Sequence, residues 1–157
     1  MTDVHSKEIR SKNMRAISTQ QTAIEKQLAG LLTECGIPFR TQDASLAGKP
    51  DFVLDSHRCI IFTHGCFWHR HHCYLFKMPA TRREFWLNKL ESNVTRDQRH
   101  ITSLVTLGWR VLVIWECSLR WKKKLTPEAI TERLEEWIYS GACHAEIDTQ
   151  GIHQLDL

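Results

Sequence analysis

The chain has no long hydrophobic run. Nothing in its 157 residues approaches the roughly 18 consecutive apolar residues of a membrane span, so no membrane-spanning helix is expected. Residues 1–19 are polar and charged and lack the apolar core of a secretory signal. A cytoplasmic location is expected, and thiols stay reduced there. The six cysteines are then expected to be metal ligands or small buried hydrophobes, not a disulfide framework. Internal repeats and low-complexity segments are also missing, which leaves one ordinary domain. Basic residues are nearly absent from residues 125–157, which hold Arg133 against seven acidic side chains. Residues 1–124 carry the opposite imbalance, with 20 basic and 11 acidic residues. A basic body with an acidic C-terminal segment suits a polyanion met by one face, although a solvated surface with accidental asymmetry reads the same way.

The remainder is ordinary for a globular domain, at 42% hydrophobic and 25% charged residues. Residues 1–19 carry Lys7, Arg10, Lys12 and Arg15 and few core-forming residues. They read as an arm or a loosely docked helix, with an unstructured terminus or a basic arm that orders on DNA as the alternatives. Ile24, Leu28, Leu31, Leu32 and Cys35 recur at helical spacing before Gly36. On that helix Glu25 reads as an exposed first-turn acid. Residues 51–55 and 59–63 read as a hairpin of two strands, and residues 81–107 as one long helix or two consecutive ones. The apolar stripe of that segment is Phe85, Leu90, Val94, Ile101, Leu104 and Leu107. Residues 109–115 form an apolar run broken only by Arg110, as a buried parallel strand would. Thr126-Pro127 opens a final helix whose core face is Ile130, Leu134, Trp137 and Ile138. Residues from 141 onward read as a polar tail. The fold class expected is α/β, with a mixed sheet flanked by helices on both faces.

The densest chemistry lies between residues 66 and 73, Cys66-Phe67-Trp68-His69-Arg70-His71-His72-Cys73. Soft thiolates and imidazoles at this spacing suit zinc. Cys66, His71 and Cys73 supply three ligands, with His72 as an alternative to His71. Cys117, just past the buried strand, is the natural fourth. Two buried cysteines beside an unrelated histidine-rich loop would be the plainer explanation. Cys35 and Cys59 look structural, and Cys143 carries no signal. Phe67 and Trp68, with Trp86 nearby, suit stacking on nucleic-acid bases, whereas Trp109, Trp115 and Trp137 fit core packing.

Asp51 follows Pro50 at a strand start, and a second strand ends at Phe62-Thr63-His64. Restriction-endonuclease-like nucleases use this layout to hold a hard divalent ion against the scissile phosphate. Their second half is normally Asp or Glu, any residue, then Lys. Here both the carboxylate and the lysine are missing. On the dipeptide alone, an ordinary aspartate in a turn after proline is the favoured reading of Asp51. A lysine-free site would need another base, and His64 and His69 are the candidates.

Taken together, Ser11-Lys12-Asn13-Met14-Arg15-Ala16-Ile17, Thr22-Ala23-Ile24-Glu25-Lys26, Pro50-Asp51-Phe52-Val53, the block from Thr63 to Cys73, Phe85-Trp86 and Trp115-Glu116-Cys117 closely resemble the very-short-patch-repair (Vsr) DNA mismatch endonucleases. The resemblance runs over nearly the whole chain. It implies a restriction-endonuclease-like fold with a structural zinc, and nicking 5′ to the T of a T:G mismatch in CT(A/T)GG context. Such mismatches arise by deamination of 5-methylcytosine. Asp51 is then expected to hold catalytic magnesium with the backbone carbonyl of Thr63, and His69 to activate water. Glu25 and His64 are expected to support the metal–water cluster. Cys66, His71, Cys73 and Cys117 match the zinc ligands. Phe67, Trp68 and Trp86 match an aromatic wedge, and Met14 inserts from the other groove. The expected organisation is a DNA-contacting arm over residues 1–19 and a single endonuclease domain over residues 20–157. The chain is expected to act as a monomer on double-stranded DNA, coupled to mismatch-repair proteins.

Overall fold

The structure, a computed structural model, describes residues 23–157. The arm expected over residues 1–19, including Met14, lies outside the described residues. The first helix, α1, covers residues 23–34. Ile24, Leu28, Leu31 and Leu32 are buried along one face, and Gly36 closes the helix with a φ of 69° that favours glycine. Six strands follow in one sheet: β1 (Arg40–Thr41), β2 (Phe52–Leu54), β3 (Cys59–His64), β4 (Arg110–Trp115), β5 (Ala145–Asp148) and β6 (Gly151–Gln154). They lie side by side in sequence order. β2 is antiparallel to β1 and β3, β4 is parallel to β3 and β5, and β6 is antiparallel to β5. The two parallel steps are bridged by α2 (Arg83–Thr106) and by α4 (Pro127–Ser140), with the short α3 (Glu116–Leu119) between β4 and α4.

The mixed sheet is covered on both faces, as the apolar runs require. Phe52, Leu54, Cys59, Ile61, Leu112 and Ile114 pack with α1 and α4. Their strand neighbours Val53, Ile60, Phe62, Val111 and Val113 pack with Ile101 and Leu104 of α2. Alternate residues thus serve two cores, and both faces of β3 and β4 are apolar for that reason. Arg110, the one charge in the run, donates to the carbonyls of Trp137, Ile138 and Ala142 at the C-terminal end of α4. A cation there satisfies carbonyls that the helix leaves unpaired. At the other end of α4, the Thr126 side chain accepts from the Ala129 N–H and Pro127 stands in the first turn.

Several sequence expectations need correction. Residues from 141 onward are not a polar tail: β5 and β6 complete the sheet, and Ala145 and Ile147 are buried. β5 is only four residues long, so its alternation offers two apolar positions and the flanking polar residues mask it. Phe85 and Leu107 do not belong to the buried stripe of α2, being 46% and 62% exposed. They sit at the two ends of the helix, beyond the sheet that buries Leu90, Ile101 and Leu104. β2 is shorter than residues 51–55, because Asp55 opens a 3-10 turn and Asp51 precedes the ladder. Among the described residues no helix is long and apolar enough to cross a membrane.

Candidate active site and metal centre

Antiparallel pairing of β2 with β3 puts Phe52 opposite Ile61, so Asp51 comes beside the end of β3. Its Oδ2 accepts from the Thr63 backbone N–H at 2.7 Å and from the Thr63 hydroxyl at 3.2 Å. Helix α1 brings Glu25 to the same place. The Gln42 amide donates to both carboxylates, at 3.1 Å to Asp51 and 3.2 Å to Glu25. Glu25 is therefore half-buried, facing Asp51, rather than an exposed first-turn acid. Burial, then the neighbouring Asp51 charge, pushes the Glu25 carboxyl from its usual 4.5 up to about 7. Burial also raises Asp51, against the pull of its hydrogen bonds from Thr63 and Gln42. The two Thr63 donors favour the charged form of Asp51 alone, so Glu25 is the member of the pair that more readily holds a proton. Two oxygen acids that cannot both ionise comfortably, beside a strand-end carbonyl, are a donor set suited to a hard divalent cation.

The chain leaves β3 at His64 and turns sharply, with the His69 N–H bonded to the Gly65 carbonyl and the His71 N–H to the Cys66 carbonyl. This turn lays the His69 ring on His64, with centroids 3.7 Å apart and planes within 1°. Burial, and then the nearby His69 and His71, hold His64 well below its usual value, so it is neutral at pH 7. Asp97 of α2 lies 2.5 Å from His69 Nδ1. That carboxylate fixes Nδ1 as a donor and leaves Nε2 as the free base. Glu25, Gln42, Asp51, Thr63, His64, His69 and Asp97 line one cleft of about 260 Å³. His64, His69 and Asp97 also stand within 4.8 Å of one another. Parallel rings aim their lone pairs side by side rather than at one point, so this trio suits proton handling better than metal binding.

The ligand atoms of Cys66, His71, Cys73 and Cys117 also gather within 4.8 Å. His71 Nδ1 is 3.5 Å from Cys66 Sγ and 3.6 Å from Cys117 Sγ. A tetrahedral zinc with bonds of about 2.3 Å to sulfur and about 2.0–2.1 Å to nitrogen separates such ligands by about 3.6 Å. The residues present fit that ion. His72 is outside the group, so the alternative ligand is set aside. Cys117 is held down to about 5 by a hydrogen bond from Cys66 and by His71, while Cys66 is raised by the same shared proton.

Next to this loop, the Phe67 and Trp68 rings are 5.2 Å apart, and Trp86 lies 5.6 Å from Phe67 and 5.9 Å from Trp68. All three are partly exposed and form one aromatic knob, which Phe76 and Phe85 extend. Asn93 of α2 donates to the Trp68 carbonyl and ties the knob down.

Sequence reasoning missed three contributors. Asp97 interrupts the buried stripe Leu90, Ile101, Leu104 of α2 at helical spacing, and a carboxylate within an apolar stripe was a usable signal. Glu116 accepts from the Cys66 N–H and from Trp121 Nε1, bracing the loop that carries Cys66. Gln42 sits at a φ of 53°, outside the usual range for a residue with a side chain. Its proximity to Asp51 comes only from the pairing of β1 with β2, which leaves no mark in the local sequence.

Residues 2–75 match the protein family described as DNA mismatch endonuclease Vsr. The chain is 68% identical over 155 residues to the DNA mismatch endonuclease Vsr of Escherichia coli (strain K12), covering 99% of each chain. It is 42% identical over 119 residues to the type II nicking enzyme V.XorIIP of Xanthomonas oryzae pv. oryzae, covering 76% of this chain and 88% of that one. It is 37% identical over 136 residues to the type II nicking enzyme V.NmeAIP of Neisseria meningitidis serogroup A, covering 87% and 96%.

Proposed function

The chain belongs to the Vsr family of DNA mismatch endonucleases, and on that footing we propose that it nicks double-stranded DNA 5′ to the T of a T:G mismatch in CT(A/T)GG context. This would start the repair of deaminated 5-methylcytosine. The observation that carries the reading is the single cleft lined by Glu25, Asp51, Thr63, His64, His69 and Asp97, close to an aromatic knob on the loop that supplies His69. The six-stranded mixed sheet, with its acid just before the β2–β3 hairpin, is read as restriction-endonuclease-like.

Asp51 and the Thr63 backbone carbonyl would hold magnesium, which when bound offsets charge developing on the scissile phosphate. Glu25 and neutral His64 orient water beside them. His69, with Nδ1–H directed to Asp97, takes the proton of the attacking water at Nε2. Asp97 then stabilises the imidazolium that forms. Cys66, His71, Cys73 and Cys117 would hold a structural zinc that fixes the loop on both sides of His69. Phe67, Trp68 and Trp86 would press between bases from one groove, with Met14 entering from the other. A T:G wobble unstacks more easily than a matched pair, so the energy of deformation contributes to selection. The chain is proposed to act as a monomer that hands the nicked strand to mismatch-repair proteins.

A duplex carrying one T:G mismatch in CTAGG context, and its T:A control, test this with and without magnesium. Magnesium-dependent cleavage 5′ of the mismatched T alone is expected. Binding without cleavage, or equal cleavage of the control, would overturn the assignment.

A further inference from the structure

The β5–β6 hairpin reaches the Cys66–His71–Cys73–Cys117 group through Asp148 and Thr149, and braces Trp115 beside it through Glu146. His71 presents Nδ1 to the thiols, so its other nitrogen faces away from them. That nitrogen, Nε2, lies 3.9 Å from Asp148 Oδ2, and both side chains are largely buried. The Thr149 backbone N–H faces the Cys117 sulfur and favours its thiolate form. The flat face of the His71 ring lies on Trp115, at 4.0 Å and within 4° of parallel. Trp115 is itself held through Nε1 by Glu146 of β5 at 2.9 Å. Asp148 is not free to swing away. Its Oδ1 accepts from the Gln150 N–H at 2.8 Å, and its Oδ2 lies 2.9 Å from His153 Nε2.

We propose that Asp148 is the positioning residue for His71, and that the β5–β6 turn is the outer shell controlling how fast the Cys3His site exchanges its metal. The inference rests on the zinc reading above and names residues that no metal-ligand spacing points to. At 3.9 Å the carboxylate acts on the far nitrogen through its charge rather than a direct hydrogen bond: it favours a proton on Nε2, which leaves the Nδ1 lone pair on the metal side and makes the imidazole a stronger donor. Three thiolates around a divalent ion leave a net negative charge. The Thr149 N–H disperses part of it at Cys117, while His153 and the Gln150 N–H offset the charge of Asp148 itself. The C-terminal hairpin is thereby coupled to the loop that carries His69 and the aromatic knob.

The test is zinc transfer from the full, zinc-loaded chain to excess 4-(2-pyridylazo)resorcinol, followed by absorbance after metal analysis of each protein. Asp148→Asn is the informative variant, because the amide oxygen still accepts from Gln150 and the turn is preserved. It should release zinc about 10-fold faster, the lower end of what outer-shell partners typically contribute. Glu132→Gln, an exposed acid on α4, should release at the wild-type rate. Cobalt-substituted Asp148→Asn should also show shifted ligand-field bands, which a mere brace of the hairpin would not cause. Release and cobalt spectrum both equal to wild type would overturn the inference while leaving the zinc reading intact. A wild-type chain without zinc would overturn both.

Discussion

Replacing Glu25 with glutamine should make the magnesium-free protein more stable at pH 8 and not at pH 5. The Glu25 carboxyl is raised from 4.5 to about 7, so the folded chain holds that proton more tightly than the unfolded chain. A raised group contributes stability that is fully present below pH 4.5 and is lost as the pH climbs through about 7. At about 1.4 kcal/mol per tenfold change in proton affinity, the ceiling is about 3 kcal/mol. Glu25 is partly exposed and Lys49 offsets some of the repulsion, so solvent screening reduces this to roughly 1–2 kcal/mol. The substituted amide has no proton to lose and relieves the repulsion at Asp51. For a chain of this size, 1–2 kcal/mol corresponds to roughly 3–6 °C in melting temperature. The assay is thermal unfolding of zinc-loaded wild type and Glu25→Gln in magnesium-free buffer from pH 5 to 8. Histidines titrate in the same window, so the measured quantity is the difference between the two proteins. That difference should grow with pH, and magnesium should shrink it at pH 8 by binding only the wild-type acid pair tightly. A difference independent of pH would refute this account of the acid pair.

Asp51→Asn should lower nicking by at least about 10³-fold while DNA binding, read by gel shift, stays within a few-fold; retained nicking would remove Asp51 from the site. Asp97→Asn should leave His69 in place but favour the wrong tautomer, reducing single-turnover nicking by about 10²–10⁴-fold, with wild-type rates refuting the dyad. Trp68→Ala should reduce the preference for T:G over T:A duplexes by about 1–3 kcal/mol, more than it reduces general affinity; equal losses on both duplexes would make Trp68 a packing residue. Cys117→Ala should lose bound zinc and lower the melting temperature, and an unchanged metal content would remove it from the ligand set.

Much of the scaffold was legible because its signals are local. The stripe of α1, the Thr126-Pro127 start of α4 and the continuous apolar run of β4 each state their element within a few residues. The Cys66-to-Cys73 grouping was legible as spacing. Cys117 lies far along the chain and joins the group only because β4 runs parallel to β3 with Trp115 opposite His64. The parts that stayed hidden depend on pairing between distant segments. Gln42 reaches Glu25 and Asp51 through β1–β2 pairing, and Asp148 reaches His71 through β4–β5 pairing. Neither contact leaves a periodic trace, and the β5–β6 segment is too short and too polar to declare itself.

The parallel step from β3 to β4 does more than complete a sheet. It sends the C-terminal ends of both strands to one edge, where Thr63 and His64 leave β3 and Cys117 follows β4. Open sheets bind ligands at that kind of edge, because the chain there is free to form loops. Two donor sets of different chemistry then stand a few residues apart. The carboxylates and carbonyl of one are hard, and the thiols and imidazole of the other are soft, so each set would select against the ion proposed for the other. His69 sits between them in sequence, flanked by Cys66 and His71, and its own ring belongs to the cleft. A metal held by Cys66 and His71 would fix the backbone on both sides of the proposed base, while Asp97 and His64 hold the ring. A misplacement of about 1 Å can cost about 10²-fold in rate. Loss of the soft site should therefore depress nicking even though no soft ligand touches the phosphate.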